Sequence, residues 1–296
     1  MRTARCRVCG ERVRRDRLDA HMRAVHRRGG ALKMLPLAAA IGAILAVTAV
    51  AILLMRQQAP SGENGTGPID PNAIQFSSED GWTLRGVYYR ENQSMPLVVL
   101  VPGVNEGRKA FGPLVDELRA RGYNVLAYDP RGVGESIYQN GRRRVWQDFT
   151  DADFQAGTMD VASAWRCALA NSITAPKVAV IGASLGANQA LASAAAISAP
   201  ELRTLVLLSP GTAYRGIESR PAIETLNNRT VRPAIFFGAS YKEPTAGAVA
   251  QSLNMSYAGA RHLSILGNDS RHGSQLVTDP PFRAEMIRFL DDTSGA

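Results

Sequence analysis

Gly182-Ala183-Ser184-Leu185-Gly186 sets a hydroxyl between two glycines, directly after the run Lys177–Ile181 and directly before the Ala-rich stretch Ala187–Ala196. The first stretch reads as a strand and the second as a helix, so the serine falls on the sharp turn between them. Such a turn lifts a side chain above the sheet in a strained backbone conformation. Side chains two residues to either side would collide, which Gly182 and Gly186 avoid. The helix beginning at Leu185 also points amide dipoles at any negative charge that develops there. This is the chemistry of an activated oxygen nucleophile.

A second set of reactive side chains lies near the N-terminus. Cys6-x2-Cys9 is followed after eleven residues by His21-x4-His26. Two thiolates on a tight knuckle and two imidazoles about one helical turn apart suit tetrahedral Zn²⁺. Leu18, three residues before His21, is placed to pack inward with Val13. A segment this short cannot bury a core, so metal would be needed to fold it. Cys6, Cys9, His21 and His26 are the expected ligands, and residues 6–26 resemble a C2H2 zinc finger with Val13 where the family commonly has an aromatic. Only Cys167 remains outside this set, so no disulfide framework is available elsewhere.

Between the two constellations, Met34 to Met55 (MLPLAAAIGAILAVTAVAILLM) carries no charge. Its 22 residues would span roughly 33 Å as a helix, enough for a bilayer core. Residues 1–33 hold eleven Lys and Arg against three acids, which accounts for the whole formal charge of +8. Positive charge beside a span stays cytoplasmic, so the expectation is a single-pass anchor with the N-terminus cytoplasmic and the remainder extracytoplasmic. A cleaved signal peptide fits less well, because about 30 residues precede the apolar run and no small-residue cleavage site follows it. The basic segment is suited to anionic lipid heads. Arg14, Arg15 and Arg17, which precede or begin the finger's expected helix, suit phosphates. Nucleic acid is not the expected partner, since one finger covers about three base pairs; a protein partner or the lipid surface is.

The sequence therefore divides into a basic zinc module (1–30), a transmembrane helix (34–55), a Gly/Pro-rich flexible linker (56–73) and a larger domain (74–296). In that domain Gly86–Tyr89, Leu97–Val101, Asn124–Tyr128, Lys177–Ile181, Thr204–Leu208, Ala234–Phe237 and Leu263–Leu266 read as strands. Helices are predicted near 111–121, 156–170, 185–197, 246–254 and 281–291. Short all-apolar strands such as LVVLV and LVLL imply an α/β fold, with a mostly parallel sheet covered by helices on both faces. Only about 25 residues separate Ser209 from Ala234, which leaves no room for a large lid. Trp146, Trp165 and Cys167 are expected in the core, and Asp129 and Arg131 are expected to brace their loop. Tyr214 and Arg215 are expected either at a pocket mouth or in a structural role.

Across residues 76–293 the chain resembles the α/β-hydrolase superfamily. Pro102-Gly103-Val104-Asn105 stands where those proteins carry the His-Gly loop, and the segment from Asp129 to Ser136 (DPRGVGES) is close to their D-x-R-G-x-G-x-S loop. The resemblance implies a serine esterase-like hydrolase acting on an ester, thioester or amide, with no cofactor for catalysis. Ser184 is the implied nucleophile and His272, six residues beyond the last strand, the implied base; His262 opens that strand and would be remote. Glu243 takes the place usually held by Asp and is the implied acid. Backbone N–H groups of Val104 and Leu185 are the implied oxyanion hole, with Asn105 nearby. The competing expectation is a non-catalytic membrane sensor, in which a degenerate hydrolase domain binds a ligand outside and the finger reports inside.

Overall fold

The computed structural model describes residues 3–5, 12–14, 70–92, 94–171, 177–197 and 199–294. The chain divides into two compact units, Met1–Thr66 and Gly67–Ala296. In the first, β1 (Thr3–Arg5) and β2 (Arg12–Arg14) form an antiparallel hairpin. Arg14 therefore lies in a strand, within the expectation that Arg14, Arg15 and Arg17 precede or begin a helix. Cys6, Cys9, His21, His26 and the run Met34–Met55 lie outside the described residues. Among the described residues no helix is long and apolar enough to cross a membrane, and none of their His, Cys, Asp and Glu side chains cluster as a metal site.

In the second unit a turn at Asp70–Ala73 (Ala73 N–H to Asp70 C=O, 2.9 Å) leads into β3 (Ala73–Ser77). Its strands are β4 (Trp82–Tyr89), β5 (Leu97–Val101), β6 (Asn124–Tyr128), β9 (Val178–Ala183), β10 (Leu202–Leu208), β13 (Ala234–Ser240) and β14 (Arg261–Leu266), with a small hairpin β7–β8 (Tyr138–Gln139, Arg142–Arg143) on the edge. Spatial order is β14-β13-β10-β9-β5-β6-β4, then the hairpin. The run from β14 to β6 is parallel throughout; β4 pairs antiparallel with β6, and β3 with β4. Every residue of β5, β6, β9 and β13 is buried, which is why these strands read as unbroken apolar runs. β4 instead alternates buried and half-buried residues, as an antiparallel strand with one covered face should.

Helices cover both faces: α1 (Pro113–Ala120), α2 (Asp151–Ala170), α3 (Leu185–Ala196), α4 (Ser219–Asn227), α5 (Pro244–Ser256) and α6 (Pro280–Ser294). Two large apolar clusters fill the spaces on either side of the sheet. α2 starts five residues before the predicted boundary because Thr150 and Asp153 form a reciprocal capping box. The sequence places no strand or helix in the segment between β10 and β13. That segment holds a hairpin, β11–β12 (Ala213–Tyr214, Ile217–Glu218), and α4, both tied to α3 by Asn188. The Asn188 amide donates to Gly211 O (3.0 Å), Ile217 O (3.2 Å) and Ser219 Oγ (3.0 Å), and its oxygen accepts the Gly211 N–H (2.9 Å). The connection is thus a short, fastened cap.

Chain direction out of the sheet reverses at β5, which lies between β6 on one side and β9 on the other. In a parallel sheet, such a reversal leaves a crevice beyond the C-terminal strand ends. Gly103–Glu106 leave β5 there, and Ser184 leaves β9 beside them.

Candidate active site

Ser184 has φ 54° and ψ −120°, a conformation costly for any residue with a side chain, and its N–H is fixed to Leu208 O at 2.8 Å. The flanking glycines are required by backbone proximity. A Cβ on Gly182 would lie 2.4 Å from Gly186 O; one on Gly186 would lie 2.2 Å from Val101 O and 2.4 Å from Pro102 O. The second glycine is therefore demanded by the end of β5, a constraint from a strand eighty residues away in sequence. Leu185 is the first residue of α3, so its N–H has no acceptor within the helix.

Glu243 precedes α5 at the C-terminal end of β13, and His272 follows β14. His272 Nδ1 is hydrogen-bonded to Glu243 Oε1, and Ser209 Oγ donates to Glu243 Oε2 at 2.9 Å. Both carboxylate oxygens are thereby engaged, and Glu243 is not a solvated side chain beside Lys242. The two loops are fastened by Lys242 N–H to Asp269 O (2.9 Å) and Ser240 Oγ–H to Arg271 O (2.6 Å). Ser209 also accepts the Gly273 N–H at 3.0 Å. Gly273 in turn abuts Ser184: its absent Cβ would lie 3.5 Å from Ser184 Cβ and 3.5 Å from Ser184 N. The sequence-predicted residues Ser184, Glu243 and His272 thus lie beyond the C-terminal ends of β9, β13 and β14, at the same edge of the sheet. Among the described residues no hydrogen bond is recorded between Ser184 Oγ and the His272 ring, whose Nδ1 faces Glu243.

His262 lies at the opposite end of β14. It is stacked on Phe236 (centroids 5.2 Å apart) and bonded through Nε2 to Glu285 at 2.7 Å, away from the site.

Beside Leu185, the residue after Ser184, lies a small, shallow cleft. Val104, Asn105 and Leu185 line one side and Val133, Trp146 and Phe149 the other. Phe154, Leu185 and Ile217 form a small apolar cluster joined by Val104, Phe149 and Tyr214. The sequence reading placed Trp146 in the core; it is half-buried, in a 3₁₀ turn (Trp146–Asp148), and faces the cleft. Trp165 is buried as expected, with Nε1–H donating to Glu201 at 3.2 Å, and Cys167 packs half-buried against the larger core. Burial pushes the Cys167 thiol up to about 11.

The loop from Asp129 to Ser136 forms one wall. Asp129 accepts the Arg108 and Glu135 backbone N–H groups (2.8 and 3.1 Å), and Arg131 is forked onto Asp160 (2.6 and 2.8 Å) and Asp80 (2.9 and 3.2 Å). Burial would lower the Arg131 pKa, yet the bonds to Asp160 and Asp80 carry it above its ordinary value, so the guanidinium stays charged inside the protein. Both residues brace the loop. Three further contributors carried no assigned role in the sequence reading: Ser209, Ser274 and Glu106. Only Ser209's place directly after an apolar strand marked it out.

Residues 92–238 match the profile of the family described as serine aminopeptidase, S33. A polyketide transferase of Penicillium sp is 33% identical over 125 residues, 41% of this chain and 40% of that protein. The match thus spans well under half of the fungal relative. An esterase of Pyrococcus furiosus superposes with a TM-score of 0.57 at 18% identity, covering 78% of this chain and 96% of that one. The Est1E protein of Butyrivibrio proteoclasticus, solved with ferulic acid, superposes with a TM-score of 0.57 at 15% identity, over 73% of this chain and 98% of that one. The second unit of this chain thus shares the α/β-hydrolase fold of these solved structures.

Proposed function

We propose that the chain is a membrane-anchored serine hydrolase that cleaves an ester, thioester or amide through an acyl-enzyme. The observation that carries the reading is the chain of contacts Ser209–Glu243–His272, which ends one residue from the contact between Gly273 and the strained Ser184. His272 takes the Ser184 proton as Oγ attacks the acyl carbonyl, and Glu243 holds the imidazole tautomer and balances the imidazolium. The oxyanion is met by the Leu185 and Val104 N–H groups. His272 returns the proton to the leaving group, and a water activated by the same imidazole releases the acyl chain, which lies in the cleft lined by Val104, Phe149 and Phe154. A fluorophosphonate probe tests the reading: it labels the full-length protein and not Ser184→Ala. Labelling that persists in the variant, or an unlabelled protein that turns over no p-nitrophenyl acyl ester, removes the nucleophile and leaves the sensor.

The proposal extends to the N-terminal unit on the support of sequence. Met34–Met55 crosses the membrane once, with the N-terminus cytoplasmic beside anionic lipid and the hydrolase domain extracytoplasmic. Cys6, Cys9, His21 and His26 hold one structural Zn²⁺, a donor set of two thiolates and two imidazoles suited to that ion, in a module that docks a protein partner or the lipid surface. Protease added outside right-side-out vesicles should digest residues 70–296. Bound zinc should be one per chain and fall on Cys6→Ser; protection of the domain, or zinc unchanged by the substitution, refutes each part.

A further inference from the structure

We infer that Glu106 is a positioning residue that locks the oxyanion-hole turn to the loop carrying the base; this rests on the serine-hydrolase reading. Val104 lies in a tight turn closed by the Glu106 N–H on Gly103 O at 3.3 Å, with Asn105 in the left-handed region at φ 57°. That turn is closed a second time, from the other direction: Gly103 N–H donates to Glu106 Oε2 at 3.0 Å. The other carboxylate oxygen, Oε1, accepts the Ser274 hydroxyl at 3.0 Å, across 168 residues of sequence. Ser274 is only 3% exposed and stands two residues after His272. The carboxylate is also close to the nucleophile: a Cβ on Gly103 would lie 3.0 Å from Glu106 Oε2 and 3.3 Å from Ser184 Cβ.

In sequence Glu106 is an unremarkable acid beside Arg108, and the plain expectation is a surface ion pair. The structure gives Arg108 other partners, Asp129 at 2.8 Å and Glu135 at 2.6 Å. Glu106 spends its two oxygens on two loops of the site. The Gly103–Val104 peptide is the one whose N–H must face the oxyanion, and its orientation is set by the turn that Glu106 closes. Ser274 passes the same constraint to the segment holding His272. One side chain thus fixes the distance between the hydrogen-bond donor for the oxyanion and the base, a separation on which the rate depends steeply.

The test compares three full-length variants by steady-state kinetics on an acyl ester and by the rate of fluorophosphonate labelling. Glu106→Ala should lower kcat by about tenfold to a hundredfold with KM within about threefold, and slow labelling equally. Glu106→Gln keeps an acceptor for Gly103 and a partner for Ser274, and should restore most of the rate. Ser274→Ala should cost less than Glu106→Ala, and nothing further when combined with it. A merely structural role would lower the melting temperature without this kcat-specific loss and its rescue. The inference is overturned if Glu106→Ala keeps kcat, if its effect falls on KM alone, or if Glu106→Gln is as slow as Glu106→Ala. A wild-type protein that neither hydrolyses esters nor takes the probe overturns the hydrolase reading, and this role with it.

Discussion

Ser209 Oγ donates to Glu243 Oε2 at 2.9 Å, so the acid is held from the side opposite His272. Ser209 sits at φ 49°, 3% exposed, and its oxygen also receives the Gly273 N–H. Replacing it by Ala leaves Glu243 with one partner and Gly273 with an unmet N–H. Hydrogen bonds to charged groups contribute about 1.5–3 kcal/mol, so kcat should fall about tenfold to a hundredfold with KM little changed. Steady-state kinetics on an acyl ester checks it; an unchanged kcat would show that Glu243 is held by the backbone alone.

Glu stands here where Asp is usual, and both of its oxygens are in use, so the surrounding loops are built to its length. Glu243→Asp should lose either His272 or Ser209 and lower kcat at least tenfold. Glu243→Gln should be worse, because an amide N–H facing His272 favours the wrong tautomer. If Asp proves as good as Glu, the loop is adaptable and the fit claimed for Glu is wrong.

Gly186 and Gly267 make opposite predictions. A Cβ on Gly186 would meet two backbone oxygens at 2.2 and 2.4 Å, atoms that cannot move aside, while one on Gly267 would meet nothing within 4 Å. Gly186→Ala should therefore cost about 3 kcal/mol or more, a drop of roughly 6–12 °C in Tm. Gly267→Ala should be neutral within about 0.5 kcal/mol. Calorimetry of the pair decides it.

Phe154 is buried where the cleft meets Leu185 and Ile217. Phe154→Ala should lengthen the preferred acyl chain in a p-nitrophenyl ester series, at a stability cost of about 3–5 kcal/mol. A chain-length profile identical to wild type would place the acyl group elsewhere.

Glu285 holds β14 against α6. Its partial burial raises its pKa, but the Ser264 hydroxyl (2.6 Å) and His262 (2.7 Å) together lower it below the ordinary value. A depressed carboxylate stabilises the fold fully above its unfolded pKa and less as pH falls through the folded one. Tm should therefore fall between about pH 5 and pH 3, and Glu285→Gln should flatten that limb while costing stability at pH 7. Parallel Tm–pH curves for the two proteins would contradict this.

Local patterns made several elements legible. The buried parallel strands were visible because a strand covered on both faces must be apolar throughout, and the nucleophile turn because its two glycines bracket a serine between strand and helix. Elements that depend on local chemistry of few residues were less so: α4, the β11–β12 hairpin and the early start of α2 rest on Asn188, Thr150 and Asp153, single polar groups with no periodic signature. Glu106, Ser209 and Ser274 were invisible as a set, since no local pattern in the chain relates residues so far apart in sequence.

By itself, the sequence determined the alternation of strands and helices and the turn that carries Ser184 between two glycines, because these rest on hydrophobic period and on residue type at short range. Only the tertiary structure decided that Glu243 rather than another acid faces His272, that His262 serves Glu285 instead, and that the acid and base loops are bound to the turn after β5. Those are outcomes of which strand ends lie side by side at the reversal of the sheet, a property of packing that no stretch of neighbouring residues encodes.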